Sequence, residues 1–271
     1  MGWEGPTRAL AVVRIVVATL LMQRYSQSMA LFNWDSGPIE LVAAAGFYLL
    51  LVFFLLGLFS RITIPAFALL MTLHWGYFGV TLGHRPSASF IGPWLVTSLL
   101  AFTPCGKSFS LDRYLEVRRA QRAGAPIPPE TGPLWAVPLL WLQVTTMYLF
   151  AAIDKTDAQW LAGERMERIY MFFYGGSESF LHEPWMHPIA VGMAWLTTGT
   201  EFGLAIGLWI RPVRRYLIPV GLVLHAGFWV LLGLWPLSGR MWVLYILFAD
   251  PQRVHDFFET VFGRPAEEAT E

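Results

Sequence analysis

The sequence predicts an all-α protein: a polytopic integral membrane helical bundle with about eight transmembrane helices. Composition is the first observation that favours this class. Apolar residues make up 55% of the 271 residues, charged residues make up 14%, and the mean hydropathy is +0.49. A soluble domain usually carries about 25% charged residues. The other two observations are the grouping of apolar residues into segments near the roughly 20 residues that span a bilayer, and the concentration of basic residues in alternate linkers.

Eight apolar segments approach the length that a span needs, and linkers containing Gly and Pro separate them. The segments are residues 8–30, 38–59, 62–82, 88–105, 134–154, 187–209, 214–235 and 239–250. The last segment is short, so we expect it either to be re-entrant or to begin before residue 239. When the N-terminus is placed in the cytoplasm, most Lys and Arg residues fall in cytoplasmic segments. Both termini are therefore predicted to be cytoplasmic, which requires an even number of spans.

Two linkers are long enough to contain structure of their own. The cytoplasmic linker 106–133 begins with an amphipathic stretch, 109–119, that we expect to lie as a helix in the headgroup layer. The rest of this linker is a loop rich in Pro and Gly. In the outer linker 156–186, Trp160-Leu161 and residues 171–174 are expected to form interfacial helices that cap a cavity.

Composition also excludes several classes of function. The formal net charge is zero, so the chain lacks the basic character of a nucleic-acid-binding protein. Cys105 is the one cysteine and the histidines are scattered, so no disulfide and no metal site are predicted. Residues 1–264 are predicted to form one transmembrane domain and 265–271 a disordered acidic tail. The expected location is a bacterial inner membrane, with the lipid bilayer as the main partner.

Ionisable side chains at membrane depth are costly, so each one is a candidate for function. Lys155 is the most informative of them. On a helix it shares a face with Tyr148 and with Ala151 or Ala152, and a small alanine would let a flat ligand approach closely. Burial in an apolar pocket disfavours the charged form of an amine, which would allow Lys155 to act as a base.

Structural alternatives stay open for these polar residues. Lys155 would snorkel to the interface and pair with Asp154 or Asp157. Glu201, near the middle of its segment, would pair with Arg14 and fix helix packing; the functional alternative for Glu201 is to line a ligand cavity.

The histidines and aromatic residues allow two interpretations as well. For His225, a structural role as a hydrogen-bonded core histidine and a catalytic role are equally favoured. His74 is more typical of a structural residue. Most of the 13 Trp and 20 Phe residues are expected in interface belts and helix contacts. A minority would line a slot for a quinone or another flat apolar ligand.

The stretch Tyr148–Gly163 resembles a pattern of the HTTM family, the membrane domain shared with vitamin K-dependent gamma-carboxylase. The family pattern is Y-F-x-A-G-x-x-K-x-D-x-x-W-x-x-G. The residues that match it are Tyr148, Ala151, Lys155, Asp157, Trp160 and Gly163, and Ala152 replaces the glycine that follows the alanine. Shorter runs at 9–15, 55–61 and 109–112 are similar to other family elements, so the resemblance extends over about residues 7–250.

The resemblance implies a carboxylase-like enzyme in which Lys155 deprotonates a reduced quinone of the vitamin K hydroquinone or menaquinol type. Oxygen and carbon dioxide are the implied co-substrates, and a protein or peptide is the implied acceptor. His225 matches a family histidine on a late helix and is expected to be a second catalytic residue. The residues expected to shape the cofactor-binding cavity are Tyr148, Trp160, Glu201 and Arg24.

The sequence also departs from the family in ways that bear on carboxylation. Ser89 stands where the family has a histidine before the fourth helix, and His84 lies five residues earlier. No counterpart of the carboxylase's lumenal domain is recognised. The alternative function is a non-catalytic membrane accessory or immunity-type module, in which the polar groups only lock helices together. A small transporter is less favoured, because we find no inverted repeat.

Overall fold

The computed structural model describes residues 4–27, 37–82, 88–174 and 183–262, and it is mostly helical. The chain forms two compact units. Met1–Leu140 and Val243–Glu271 make up the first unit, and Trp141–Trp242 make up the second.

Helices dominate the described part of the chain, which also contains two strands of three residues each. In chain order, the elements are β1 (Glu4–Pro6), α1 (Arg8–Gln27), α2 (Pro38–Leu56), α3 (Ser60–Leu82), α4 (Ala88–Leu100), α5 (Leu111–Arg122), β2 (Thr131–Pro133), α6 (Val137–Asp154), α7 (Ala158–Leu161), α8 (Glu164–Tyr174), α9 (Met186–Gly207), α10 (Arg211–Leu232), α11 (Trp235–Tyr245), a 3₁₀ turn (Ile246–Phe248) and α12 (Pro251–Phe262).

Three described helices are long and apolar enough to cross a membrane: α6, α9 and α10. Shorter apolar helical stretches occur at Ala44–Leu56, Ser60–Leu73 and Ile91–Leu100. Helix α11 begins at Trp235. The last apolar segment therefore begins before residue 239, which was one of the two alternatives predicted for it. The acidic tail 265–271 lies outside the described residues.

Helix α1 packs against α2 and α4 in the first unit, and Arg14 is buried within it. The Arg14 guanidinium donates to the backbone carbonyl oxygens of Cys105, at 2.7 Å, and of Phe109. The predicted pairing of Arg14 with Glu201 is therefore wrong. Positions at similar depth along two helices can still face different neighbours, and the carbonyl oxygens of the connection between α4 and α5 are good acceptors for a buried arginine.

The start of α5 is tied to the start of α3 by one carboxylate. Asp112 accepts hydrogen bonds from the backbone N–H of Phe59, at 2.8 Å, and of Ser60, at 2.7 Å. It therefore satisfies N–H groups that the first turn of a helix leaves without a partner. Helix α5 contains no buried residue, which confirms the prediction of an amphipathic surface helix in this linker.

A small sheet corrects the prediction that the fold is entirely helical. Strands β1 and β2 pair in antiparallel fashion, with Glu4 opposite Pro133 and Pro6 opposite Thr131. Each strand has only three residues, so neither carries the alternating pattern that predicts a strand from sequence. The sheet gives the end of the loop before α6 a fixed position in the first unit.

Candidate functional site

A cavity of about 310 Å³ lies in the second unit, between residues of α6, α7, α8, α9, α10 and α11. Tyr148 and Ala151 line it from α6, and Lys155 lines it from the turn that directly follows this helix. Their spacing of three and four residues puts them on one helix face, as predicted. Most of the remaining wall is apolar and includes Phe228 and Met241.

Lys155 and Glu201 form an ion pair at this cavity. The Nζ atom lies 2.9 Å from Oε2 of Glu201 and donates to Oε1 at 3.1 Å. It also donates to the carbonyl oxygen of Ala151 at 3.1 Å. The Glu201 side chain is almost fully buried, at 4% exposure, and that of Lys155 is 17% exposed. The alternative pairing of Lys155 with Asp154 or Asp157 is wrong, because the carboxylate that faces the amine comes from the neighbouring helix α9.

Trp160 shields the amine from the side of α7. Its indole ring centroid lies 5.4 Å from Nζ of Lys155, which is within the range of a cation–π contact. The indole N–H is held by the hydroxyl of Thr198, at 3.1 Å, and the carbonyl of Ala194, at 3.2 Å. These bonds fix the ring on α9, so the amine is covered by an aromatic plane.

The short helix α7 exists because both of its ends are stabilised. Asp157 caps its start by accepting from the backbone N–H of Trp160 at 3.0 Å. Gly163 follows its end with φ of +83°, a conformation that favours glycine. A Cβ atom at Gly163 would also lie 2.9 Å from the backbone nitrogen of Val191. Asp157 and Gly163 are therefore needed to place Trp160 over Lys155.

A second polar couple, Tyr148 and His225, lines the same cavity. The Tyr148 hydroxyl and Nε2 of His225 are 2.7 Å apart, and both side chains are buried. The Ser238 hydroxyl donates to the carbonyl oxygen of His225 at 2.8 Å, which joins α11 to α10 at this level. The couple presents a polar edge to a wall that is otherwise made of carbon atoms.

The second unit thus brings together five of the six predicted site residues: Lys155, Glu201, Tyr148, His225 and Trp160. Arg24 lies in the first unit near the end of α1, with an exposed side chain, and its predicted role stays a prediction. His84 lies outside the described residues, and nothing is described of the side chains of His74 and Ser89.

Sequence reasoning missed Thr198, which orients the indole of Trp160. The one available signal was its position, one helical turn before Glu201 and therefore on the same face of α9. It also missed Arg240, a buried side chain on α11. In the described part of the chain, no group of three or more His, Cys, Asp or Glu residues is arranged to hold a metal ion.

The arrangement is suited to taking up a proton from a hydroxyl group in the cavity. Lys155 and Glu201 are within hydrogen-bonding distance of each other at the wall of the cavity, and the indole of Trp160 covers the amine. Charges in such surroundings interact strongly because few water molecules screen them. Nothing in the wall supplies a nucleophilic Ser–His–Asp set or a phosphate loop, so proton transfer is the chemistry that these residues favour.

Comparison with protein families identifies a match. The family model for the HTTM domain matches residues 47–231, which is more than half of the chain and includes every described residue of the cavity up to Phe228. No curated protein and no solved structure matches the chain.

Proposed function

Since the chain belongs to the HTTM domain family, the family of the membrane domain of vitamin K-dependent carboxylase, we propose that it is a carboxylase-like membrane enzyme. It takes a proton from a reduced quinone. One observation carries this proposal: the Lys155–Glu201 pair faces an apolar cavity of about 310 Å³. Small-molecule sites are mostly apolar, with a few placed polar groups, and begin at about 300 Å³.

The residues of the cavity fit a flat, apolar ligand with two oxygen atoms. Phe228 and Met241 provide apolar walls, and the small side chain of Ala151 leaves room beside α6. The Tyr148–His225 couple would hold one ligand oxygen by hydrogen bonding. A bound reduced quinone would supply a weakly acidic hydroxyl group and the electrons that reduce oxygen.

Lys155 and Glu201 act in this proposal as one base. The pair has zero net charge both as ammonium with carboxylate and as amine with carboxylic acid, and the second form avoids two buried charges. Strongly interacting groups titrate as a pair and not as separate residues. When the amine–carboxylic acid form accepts one proton at Nζ of Lys155, the pair gains a charge of +1. That charge lies next to the anion left in the cavity and stabilises it.

The test is oxygen-dependent consumption of reduced menaquinone, or of vitamin K hydroquinone, by the purified protein in a neutral detergent. We expect protein-dependent loss of the quinol, followed by mass spectrometry, with oxygen present and not without it. Absence of turnover with both quinols, in a protein that is folded, would refute the proposal.

A second candidate function is favoured by the same contacts. The Lys155–Glu201 pair joins α6 to α9, and the Tyr148–His225 bond joins α6 to α10. Both would serve in a non-catalytic accessory or immunity-type module as locks between helices. Lys155→Arg separates the two functions, because arginine retains the ion pair but stays charged and cannot act as a base. The variant should lose all quinol turnover if the chain is an enzyme, and should behave as wild type in a module.

The finer features of the membrane protein are part of this proposal. We place eight spans in a bacterial inner membrane, with both termini in the cytoplasm, oxygen and carbon dioxide as co-substrates, and a protein or peptide as acceptor or membrane partner. Reporters that are active only in the cytoplasm, fused to either end, should both be active. An inactive reporter at one end alone would require an odd number of spans.

A further inference from the structure

Arg240 is a buried cation of the second unit that the proposed proton transfer does not use. Its side chain lies on α11, the residue is 4% exposed, and its Nε atom makes no hydrogen bond. No carboxylate in the described part of the chain forms an ion pair with it. Glu201, the buried carboxylate of the cavity, is paired with Lys155. A guanidinium buried without a counter-ion is strongly unfavourable, and an ionisable residue at such a place is a functional candidate.

The position of Arg240 connects it to the cavity. Leu237, three residues earlier on α11, and Met241, the next residue, both line the cavity. Residues three apart on a helix are neighbours on its surface, so Arg240 lies at the edge of the α11 face that closes the cavity. Ser238, two residues before Arg240 on α11, donates to the carbonyl oxygen of His225, another residue of the wall, at 2.8 Å.

We propose that Arg240 binds the anionic head of an amphipathic ligand whose apolar part occupies the cavity. A guanidinium has five N–H donors in a planar fork that matches the two oxygens of a carboxylate or phosphate. Charge-assisted bonds of this kind are stronger than neutral ones. The apolar wall next to the fork selects a ligand with a hydrocarbon body over a small hydrated ion.

Two sources share this chemistry: a free carboxylate with an alkyl chain and the phosphate of a membrane lipid. The inference goes beyond the proposed quinol chemistry and does not depend on it. A ligand held in this way would compete with a quinone for the cavity.

Thermal unfolding in a neutral maltoside detergent tests the proposal, since a ligand that binds only the folded state stabilises it by RT ln(1 + L/Kd), where L is the free ligand concentration, and so raises the midpoint further with each increase in that concentration. The probes are hexanoate, with hexanol as its uncharged analogue, and phosphatidylglycerol, with phosphatidylcholine as its zwitterionic analogue. We expect hexanoate or phosphatidylglycerol to raise the midpoint of the wild type in a concentration-dependent way, and the uncharged or zwitterionic analogue to have no matching effect. A shift with hexanoate identifies a free carboxylate as a source, and a shift with phosphatidylglycerol alone identifies the lipid.

The variants are Arg240→Met, which keeps the length of the side chain without its charge, and Arg211→Met, which removes an exposed arginine at the start of α10. Arg240→Met should lose the ligand-induced shift, and Arg211→Met should keep it. In buffer without ligand, Arg240→Met should unfold at the same temperature as the wild type or higher, because an uncompensated buried charge has been removed. If Arg240→Met does not fold, Arg240→Lys retains the charge without the fork and should show a weaker shift.

Equal shifts in the wild type and Arg240→Met, or no shift of the wild type with any probe, would overturn the proposal. Lys155→Arg separates it from the proposed function, because it keeps the ion pair with Glu201 but cannot act as a base. This variant should lose quinol turnover while its midpoint still responds to the anionic probe.

Discussion

Lys155 and Glu201 form the centre of the site, and their burial determines what each contributes to stability and to proton transfer. Glu201 is the more deeply buried partner, and Lys155 reaches it across from α6. Breaking a buried pair on one side leaves the other charge without compensation, whereas replacing both partners with apolar residues is often neutral. Replacing one partner and replacing both partners should therefore differ in their effect on stability, whereas both changes should abolish catalysis.

We predict that Glu201→Gln lowers the free energy of unfolding by about 3 kcal/mol, because it leaves the ammonium of Lys155 without a carboxylate. The double variant Lys155→Met/Glu201→Leu should recover most of that loss. Neither variant should consume reduced quinone. Chemical or thermal unfolding followed by tryptophan fluorescence measures the first effect. Equal destabilisation by the single and the double variant would show that the pair is not energetically linked.

At the residue scale, the sequence identified the polar residues of the site but not which of them form pairs. Polar residues in apolar segments are visible because the membrane makes them costly, and Lys155, Glu201 and His225 were found in this way. The partner of Lys155 could not be predicted, since the distance of Glu201 along its own helix says nothing about the direction in which the helix faces. Asp154 and Asp157 were closer in sequence, but the amine lies opposite α9.

The connection from α7 to α8 is the element that holds the aromatic cover in place. Trp160, Met166, Ala190 and Ala194 form a buried cluster between these short helices and α9. Gly163 allows the chain to turn between α7 and α8 while its backbone lies against α9. The conformation of the α7–α8 connection therefore depends on the absence of a side chain at Gly163.

We predict that Gly163→Ala destabilises the second unit by about 1–2 kcal/mol from the left-handed backbone alone, with a further loss from the contact with Val191. Quinol turnover should fall with it, because Trp160 would be displaced from Lys155. The matched control is Gly192→Ala on α9, where no atom lies within 4 Å of the added Cβ. Alanine is favoured over glycine in a helix by up to about 1 kcal/mol, so this control should be neutral or stabilising. Thermal midpoints of the two variants check the prediction.

Helix content and the site face of α6 were predictable at the element scale because they follow from the 3.6-residue period. The 16-residue pattern from Tyr148 to Gly163 includes Trp160, whose ring lies over the amine of Lys155. Helix α12 and the two short strands were not predicted. Strands of three residues carry too few side chains for a pattern. Helix α12 does carry apolar residues at 254, 257, 258, 261 and 262, the spacing of an amphipathic helix, but it is too short and too charged to stand out as a span.

At the scale of the whole molecule, the first unit is tied together by charged contacts between distant parts of the chain. Glu130 accepts from Nε of Arg8 at 2.8 Å and from the Ser108 hydroxyl at 3.0 Å. Arg8 also pairs with Glu259 of α12. Burial by itself raises the pKa of Glu130, but the bonds from Arg8 and Ser108 and the charge of Arg113 outweigh it. The pKa of Glu130 is lowered from its ordinary value of 4.5.

The lowered pKa predicts an acid-sensitive contribution to stability. A carboxyl group with a lower pKa in the folded state stabilises that state above its unfolded pKa, and the contribution is lost as the pH falls through the folded pKa. The wild type should therefore be more stable than Glu130→Gln at pH 7, and the difference should shrink as the pH falls below the ordinary value of 4.5. Thermal midpoints of both proteins between pH 3 and pH 7 measure it. A constant difference over this range would mean that the Glu130 charge contributes nothing.

The class of the molecule was predictable from composition, because a chain with so few charged residues cannot cover a surface in water. The exact set of spans was not. Helices α2 and α4 end at Leu56 and Leu100, before the ends at 59 and 105 of the segments read from hydropathy. A window of apolar residues does not reveal where a helix ends, because Gly, Pro and capping residues set the ends.

Chemical rescue of Lys155 is the most direct test of the central claim. The chain has two lysines, Lys107 and Lys155, and both are paired with a glutamate, at 2.8 and 2.9 Å respectively. Lys155→Ala should abolish oxygen-dependent quinol consumption, and added methylamine should restore it in proportion to its concentration. Lys107→Ala should keep full activity and be insensitive to methylamine. Full activity of folded Lys155→Ala without any amine would contradict the account.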